Sequence, residues 1–203
     1  MLHYTAMASH ELALERLCDP EHEVSAHYLI DQHGMTFQLV AEAQRAWHAG
    51  VGAWGGCDDV NSASIGIELC NAGDHEFPAV QMQALISLLR EVMQRWGISA
   101  DKVIGHSDMS PARKQDPGRL FDWRALETEG VAVFRGQSHP QVLPFWQSAL
   151  HFGYVLPEIM GAKEVVLEAF RQRFRPQASG PFDDEDIRIL SDLAQSYPFV
   201  SEA

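Results

Sequence analysis

The sequence has few basic residues, few cysteines and no long apolar run. Its 203 residues include 15 lysines and arginines against 28 aspartates and glutamates, which gives a net charge of -13. Proteins that bind a nucleic-acid backbone or an anionic membrane surface use clustered basic side chains, so we expect no nucleic-acid partner. A membrane-spanning helix needs roughly 18 consecutive apolar residues. Because no run approaches that length, we expect no transmembrane segment.

The chain also lacks the spacings of several known site types. Its three cysteines, Cys18, Cys57 and Cys70, are an odd number without a CxxC pair, which argues against a disulfide framework and a thiolate zinc site. No HExxH segment is present, so a zinc peptidase of that type is disfavoured. With 46% hydrophobic residues, the chain can bury the core of one domain and of a small second one.

Hydrophobic periodicity and capping residues predict most of the secondary structure. The chain opens on what reads as the last residues of a strand, so we expect a truncated N-terminal strand with His3 almost at the chain end. Four predicted elements follow: a helix capped by Ser9, a hairpin with its turn at Gly34, a strand around Glu68, and a long helix ended by Gly97. The predicted bounds are 10–18, 25–31 with 35–40, 64–70, and 79–96, respectively.

Residues 136–144 combine glycine, prolines and polar side chains, which indicates a linker. We therefore predict a first domain over residues 1–135 and a helical unit over residues 145–203. Amphipathic stripes predict three helices in this unit, at 145–152, 162–174 and 183–197. A unit of roughly 60 residues is small but feasible when it is docked on a larger domain.

A loop over residues 104–118 brings together side chains that carry chemistry. It follows a short apolar strand and contains His106, Lys114 and Asp116. Together with His3, the histidine and the aspartate make a set of two nitrogens and one oxygen, which zinc accepts while keeping a fourth position open. Lone histidines are more often structural or surface residues than ligands, so the spacing by itself leaves both interpretations open.

Glu68 and Lys114 favour the metal interpretation. Strict alternation places Glu68 on the strand face opposite an Ile/Ile/Leu stripe, where a carboxylate can act as a general base toward a zinc-activated water. Lys114 can donate to the oxyanion that forms when water adds to an amide carbonyl. The alternatives are a solvated strand acid and an ordinary surface lysine.

Five ordered motifs resemble the zinc N-acetylmuramoyl-L-alanine amidases of the AmpD and AmiD kind, whose fold is shared with peptidoglycan recognition proteins. The motifs are HYTA at 3–6, SAHYLI at 25–30, RAWHAG at 45–50, SIGIELCN at 64–71 and GHSD…RKQDPG at 105–118. The resemblance covers about residues 1–130. It implies an α/β fold with a mixed central β-sheet flanked by helices, and the helical tail looks like a small C-terminal three-helix peptidoglycan-binding-like domain.

The resemblance implies roles for five residues. The zinc ligands fall on His3, His106 and Asp116, the catalytic acid on Glu68 and the catalytic lysine on Lys114. From side-chain chemistry, and not from the resemblance, Trp47, His48 and Asn71 are candidate contacts to glycan or stem peptide, because an aromatic face and short polar groups suit a sugar-peptide ligand. A place in the core is an equal alternative for Trp47. The implied reaction is zinc-dependent hydrolysis of the amide between N-acetylmuramic acid, or its 1,6-anhydro form, and L-alanine of the stem peptide.

The same resemblance leaves alternatives. A peptidoglycan-binding module without turnover is the second hypothesis, because non-catalytic recognition proteins share this fold. Peptidoglycan or muropeptide fragments are the expected partners under either hypothesis. We expect the periplasm or cell envelope as the location, with an anchor on a missing N-terminal segment, and the cytoplasm as the alternative. The sequence does not indicate an oligomeric state.

Overall fold

A computed structural model describes residues 1–199, and a four-stranded sheet lies at its centre. The strands are β1 (Leu2–Tyr4), β2 (Tyr28–Ile30), β3 (Thr36–Gln38) and β4 (Ile67–Leu69), in the spatial order β1-β4-β2-β3. β4 pairs in parallel with β1 and with β2, whereas β3 pairs antiparallel with β2. The predicted mixed sheet is confirmed.

Eight α-helices surround this sheet or follow it within the described residues. They are α1 (His10–Cys18), α2 (Val60–Ala63), α3 (Ala79–Trp96), α4 (His106–Met109), α5 (Trp123–Thr128), α6 (Phe145–Phe152), α7 (Ala162–Phe174) and α8 (Asp184–Ser196). Two 3₁₀ turns lie at Pro20–His22 and Ala100–Lys102. The longer helices agree with their predicted bounds to within a residue.

Capping explains that agreement. The Ser9 side chain accepts a hydrogen bond from the backbone of α1, and Asp183 does the same at α8. Gly97 ends α3 in a left-handed conformation with φ of 64°, which a residue with a Cβ rarely adopts. These signals are local in sequence, so they indicate helix ends without reference to tertiary contacts.

The strands are shorter than their patterns predicted. The strand predicted over 64–70 is reduced to β4 because Ser64 ends α2. The apolar strand predicted before the 104–118 loop is only a single bridge, between Leu2 and Gly105, since α4 begins at the next residue. The four-residue helices α2 and α4 were not predicted.

β1 is held along both edges. On one side it pairs with β4, and on the other the Leu2 amide donates to the Ile104 carbonyl at 2.9 Å. Met1 and Leu2 are buried in the core. His3 therefore sits in a strand whose backbone is fixed by neighbours on two sides.

The helical unit shares its core with the sheet. Phe134 contacts Phe174 of α7, which in turn contacts Phe152 of α6, within one continuous apolar cluster. The predicted linker, 136–144, contains no helix or strand and bonds to α8 through the His139 amide. The division into domains at these bounds stays a prediction, and residues 200–203 of the predicted unit lie outside the described part.

None of the helices in residues 1–199 combines the length and the apolar character that crossing a membrane requires.

Candidate active site

Sheet register brings the candidate residues to one place. His3 on β1 and Glu68 on β4 are direct partners, so their side chains leave the same face of the sheet. The bridge between Leu2 and Gly105 places the first residue of α4, His106, beside His3.

The loop after α4 then returns Asp116 to this point. The backbone amide of Ser107 donates to the Asp116 carbonyl at 2.9 Å, which anchors the returning loop to the first turn of α4. The predicted loop thus supplies a histidine from its start and a carboxylate from its end.

Three donor atoms converge in a buried cluster. His3 Nδ1 lies 2.9 Å from His106 Nδ1, and Asp116 Oδ2 lies 3.0 Å from each. Ligand atoms about 2.0–2.2 Å from a tetrahedral zinc stand about 3.3–3.6 Å apart. The observed separations are a few tenths of an ångström shorter, so small side-chain shifts accommodate the ion. The donor set fits zinc in number, type and spacing.

The Nε2 atoms of His3 and His106 each have a polar partner outside the cluster, and these contacts orient the Nδ1 atoms toward its centre. His106 Nε2 lies 2.8 Å from the Ala49 carbonyl. A carbonyl only accepts, so Nε2 carries the proton and Nδ1 presents a lone pair inward. His3 Nε2 lies 3.1 Å from His48 Nδ1. Hydrogen bonds to the far nitrogen are how ligating histidines are usually held.

Electrostatics keep the cluster in its ligating form. Burial, followed by the neighbouring His106, lowers the pKa of His3 to about 4. Burial by itself raises the pKa of Asp116, but its close polar contacts with the His106 and His3 rings outweigh it and hold that pKa below its ordinary value. At neutral pH the chain thus offers a neutral imidazole and an ionised carboxylate, the protonation states that metal binding requires.

Glu68 and Lys114 share a cleft of about 460 Å³ with the three donors. Burial, and then the charge of Asp116, raise the pKa of Glu68 to about 8, while Lys114 acts in the opposite direction. Glu68 Oε2 is buried without a hydrogen-bond partner among the described residues. A carboxyl group with a perturbed pKa in a cleft is typical of an acid or base in catalysis.

The arrangement matches known proteins. The sequence profile described as N-acetylmuramoyl-L-alanine amidase matches residues 1–119, more than half of the chain. The chain belongs to the N-acetylmuramoyl-L-alanine amidase family. The predicted membership and the predicted amidase class are confirmed.

Relatives within this family match both parts of the chain. N-acetylmuramoyl-L-alanine amidase AmiD from Escherichia coli (strain K12) is 32% identical over 97% of this chain and 82% of its own length. A solved structure of that AmiD superposes with a TM-score of 0.87 over 97% of this chain and 88% of the other. AMPDH3 from Pseudomonas aeruginosa gives a TM-score of 0.86 at 31% identity, over 97% and 90%. The predicted fold is confirmed, since the match includes the helical region.

A second kind of relative matches about half of the chain. 1,6-anhydro-N-acetylmuramyl-L-alanine amidase AmpD from Haemophilus influenzae is 43% identical over 49% of this chain and 55% of its own length. The candidate site residues, from His3 to Asp116, all lie within the family profile match over residues 1–119.

The three predicted substrate contacts of this amidase lie in different surroundings. Trp47 is 56% exposed and lines the cleft, with the Arg45 guanidinium 4.2 Å from its ring centroid. His48 lines the cleft but also holds His3, a positioning contact that sequence reasoning did not identify. Asn71 is buried outside the cleft lining, where its side chain accepts from the Gly73 amide. The RAWHAG motif signalled His48, but not its contact with His3.

Proposed function

We propose that this amidase is zinc-dependent and hydrolyses the amide between the lactyl group of N-acetylmuramic acid, or its 1,6-anhydro form, and L-alanine. The observation that carries the proposal is the convergence of His3, His106 and Asp116 beside Glu68 in one cleft. The complete set of candidate catalytic groups argues against the alternative of a binding module without turnover.

The three donor atoms would hold the zinc ion. Bound there, zinc supplies Lewis-acid chemistry, because it lowers the pKa of water and polarises a carbonyl. Because the pKa values of His3 and Asp116 are both lowered, these two donors need no further deprotonation at neutral pH to bind it.

Glu68 would move the proton. In its ionised form Glu68 can take a proton from the attacking water, and in its protonated form it can return that proton to the departing amine. A pKa raised to about 8 makes both forms accessible near neutral pH. Its rigid place in β4, one strand away from His3, fixes the carboxyl group relative to the donors. The unpartnered Oε2 is free to accept the hydrogen bond that this role needs.

Lys114 would stabilise negative charge on the reacting carbonyl oxygen. It is half-buried in the cleft wall, two residues from Asp116. An ammonium group directed at a developing oxyanion is worth far more in a partly closed site than in water.

Muropeptides are the substrate class that the relatives indicate. The AmiD structure is described as a complex with the substrate anhydro-N-acetylmuramic acid-L-Ala-D-gamma-Glu-L-Lys, and an AMPDH3 structure as a complex with anhydromuramic pentapeptide. For this chain we infer the same class, with Trp47 as an apolar wall for the sugar or the peptide.

The experiment uses an anhydro-muropeptide and intact peptidoglycan side by side. Mass spectrometry should detect free stem peptide from the zinc-loaded chain, no product after chelation, and restored product after zinc is added back. Absence of cleavage of both substrates by protein that contains one equivalent of zinc would rule out the amidase proposal. The ratio of the two rates then tells whether anhydro fragments or intact murein are preferred.

We also infer a location in the cell envelope. The support is that the match to AmiD spans the helical region as well as the site, whereas the match to AmpD covers about half of the chain. Fractionation of cells that express the full gene, followed by immunodetection, tests this. Recovery in the cytosol alone would contradict it.

A further inference from the structure

One arginine crosses from the helical unit to the helix that carries a candidate ligand. Arg173 lies on α7, is 2% exposed, and donates to Asp108 Oδ2 of α4 at 2.8 Å. The two residues are 65 positions apart in sequence. Because both partners are buried, water cannot replace either one if the contact is lost.

Asp108 gathers further contacts. Its Oδ2 also accepts from the Gly105 amide at 2.8 Å, and its Oδ1 accepts from the Tyr154 hydroxyl at 2.9 Å. Tyr154 follows α6, so the helical unit supplies two of the three donors to this carboxylate. The third donor, Gly105, is the residue immediately before His106.

Arg173 also fixes the segment that leads into α4. Its second terminal nitrogen donates to the carbonyls of Val103 and Val133, at 3.1 and 3.0 Å. The guanidinium carbon lies 4.1 Å from the ring centroid of Trp123. One planar group therefore sets the position of the backbone before His106, through Val103, and of the helix after it, through Asp108.

We propose that Arg173, assisted by Tyr154, is a positioning residue for the metal centre, so that the helical unit is part of the support of His106. This inference rests on the proposed zinc dependence. Without Arg173, the first turn of α4 keeps the Gly105–Asp108 hydrogen bond and the hydrogen bond from Tyr154. It loses the guanidinium group that joins Asp108 to the Val103 and Val133 carbonyls, so the position of the turn relative to β1 is less well fixed. A ligand displaced in this way binds metal less tightly even when the protein is folded.

The same helix provides a matched control. Arg171 is also 2% exposed and bonds to Asp186, at 3.0 Å from its Nε. Its other partners are the carbonyls of Gly180 and Pro181. All these contacts lie within the helical unit. The Arg171 pair thus shares burial and chemistry with the Arg173 pair, but within residues 1–199 Arg171 makes no hydrogen bond or ion pair to α4.

The test compares Arg173→Lys with Arg171→Lys in the full chain. Lysine keeps the charge but cannot reproduce the fork of an arginine. Competition with a chromophoric chelator should show zinc affinity about 10–100-fold weaker for Arg173→Lys, and unchanged for Arg171→Lys although its melting temperature falls. Visible spectra of the cobalt-substituted proteins should change only for Arg173→Lys, since cobalt absorption reports ligand geometry.

Tyr154→Phe serves if Arg173→Lys does not fold, because it removes a single hydrogen bond to Asp108. It should weaken zinc binding in the same direction and to a smaller extent. The inference would be overturned if Arg173→Lys showed unchanged zinc affinity and an unchanged cobalt spectrum. The same result in Tyr154→Phe would overturn it if Arg173→Lys does not fold. Equal weakening of zinc binding by Arg173→Lys and Arg171→Lys would also overturn it. If the unmodified chain itself binds no zinc, the proposed function fails as well, and that arm of the experiment shows it separately.

Discussion

His3 and Glu68 face each other across two parallel strands, as direct register partners of β1 and β4. This relationship places a candidate ligand and a candidate proton carrier on rigid elements and not on loops. Sites built on strands hold their geometry more closely than sites built on loops. Metal binding and proton transfer can be separated by substitution, because His3 belongs to the donor cluster and Glu68 does not.

Replacing Glu68 by glutamine should abolish turnover and keep the metal. Loss of a general base lowers kcat by about 10²–10⁴-fold, whereas zinc content should stay at the level of the unmodified chain. The free energy of unfolding should not fall, since burial already disfavours the ionised carboxyl group. Steady-state kinetics on an anhydro-muropeptide and metal analysis check this. Glu76→Gln, at an exposed position outside the cleft lining, is the control and should keep full activity.

Replacing Asp116 by alanine should remove the metal itself. The variant loses the only carboxylate of the donor cluster found in residues 1–199, and two imidazoles seldom hold zinc without a third protein ligand. Zinc content after dialysis should drop well below one equivalent, together with activity. Asp74→Ala, which alters an exposed carboxylate, is the matched change. Retention of a full equivalent of zinc by Asp116→Ala would contradict the assigned ligand set.

His48 should matter for metal affinity without being a ligand. Its Nδ1 is 3.1 Å from His3 Nε2, so His48→Leu leaves that nitrogen without its partner. Removing such an outer contact typically weakens metal binding by about 10–100-fold. His139→Leu is the control, because the His139 ring bonds to Ser196 outside the cleft lining. Chelator competition should separate the two variants, and equal zinc affinities would argue against this role.

The sequence predicted the elements that are defined by local signals. Ser9 and Gly97 marked helix ends correctly because a cap acts on the three or four residues beside it. The two shortest helices, α2 and α4, were not predicted, since four residues are too few to show a helical period. The predicted strand before α4 shrank to one bridge for a similar reason: its pairing depends on β1, which is 100 residues away.

The site divides in the same way. The residue types and the five motifs named all members of the donor cluster, because chemistry is visible in a sequence. The contacts that orient the cluster were not visible. His48 reaches His3 across 45 positions, and Arg173 reaches Asp108 across 65. Such pairs follow from tertiary packing, and a single sequence carries no pattern for them.

A last prediction concerns stability and pH, at the edge of the sheet away from the site. Glu42 accepts from Arg95 at 2.6 Å, from Tyr28 at 2.6 Å and from the Trp96 indole at 2.7 Å. The hydrogen bond from Arg95 is the largest cause of a pKa lowered to about 2. Ionised Glu42 lies in the loop after β3 and connects this loop to Tyr28 of β2 and to the C-terminal end of α3.

Glu42→Gln should lower the free energy of unfolding at pH 7 by about 1.5–3 kcal/mol, the usual range for hydrogen bonds to a charged group. A depressed folded-state pKa stabilises the protein above the unfolded-state value of 4.5, and this contribution is lost as the pH falls toward 2. The difference between the variant and the unmodified chain should thus shrink steadily between pH 5 and pH 3 in denaturant titrations. Glu91→Gln removes a longer, exposed contact to the same Arg95, 3.3 Å away, and should cost less than about 1 kcal/mol at any pH. A Glu42→Gln deficit that stays constant down to pH 3 would show that the lost interaction is packing and not charge.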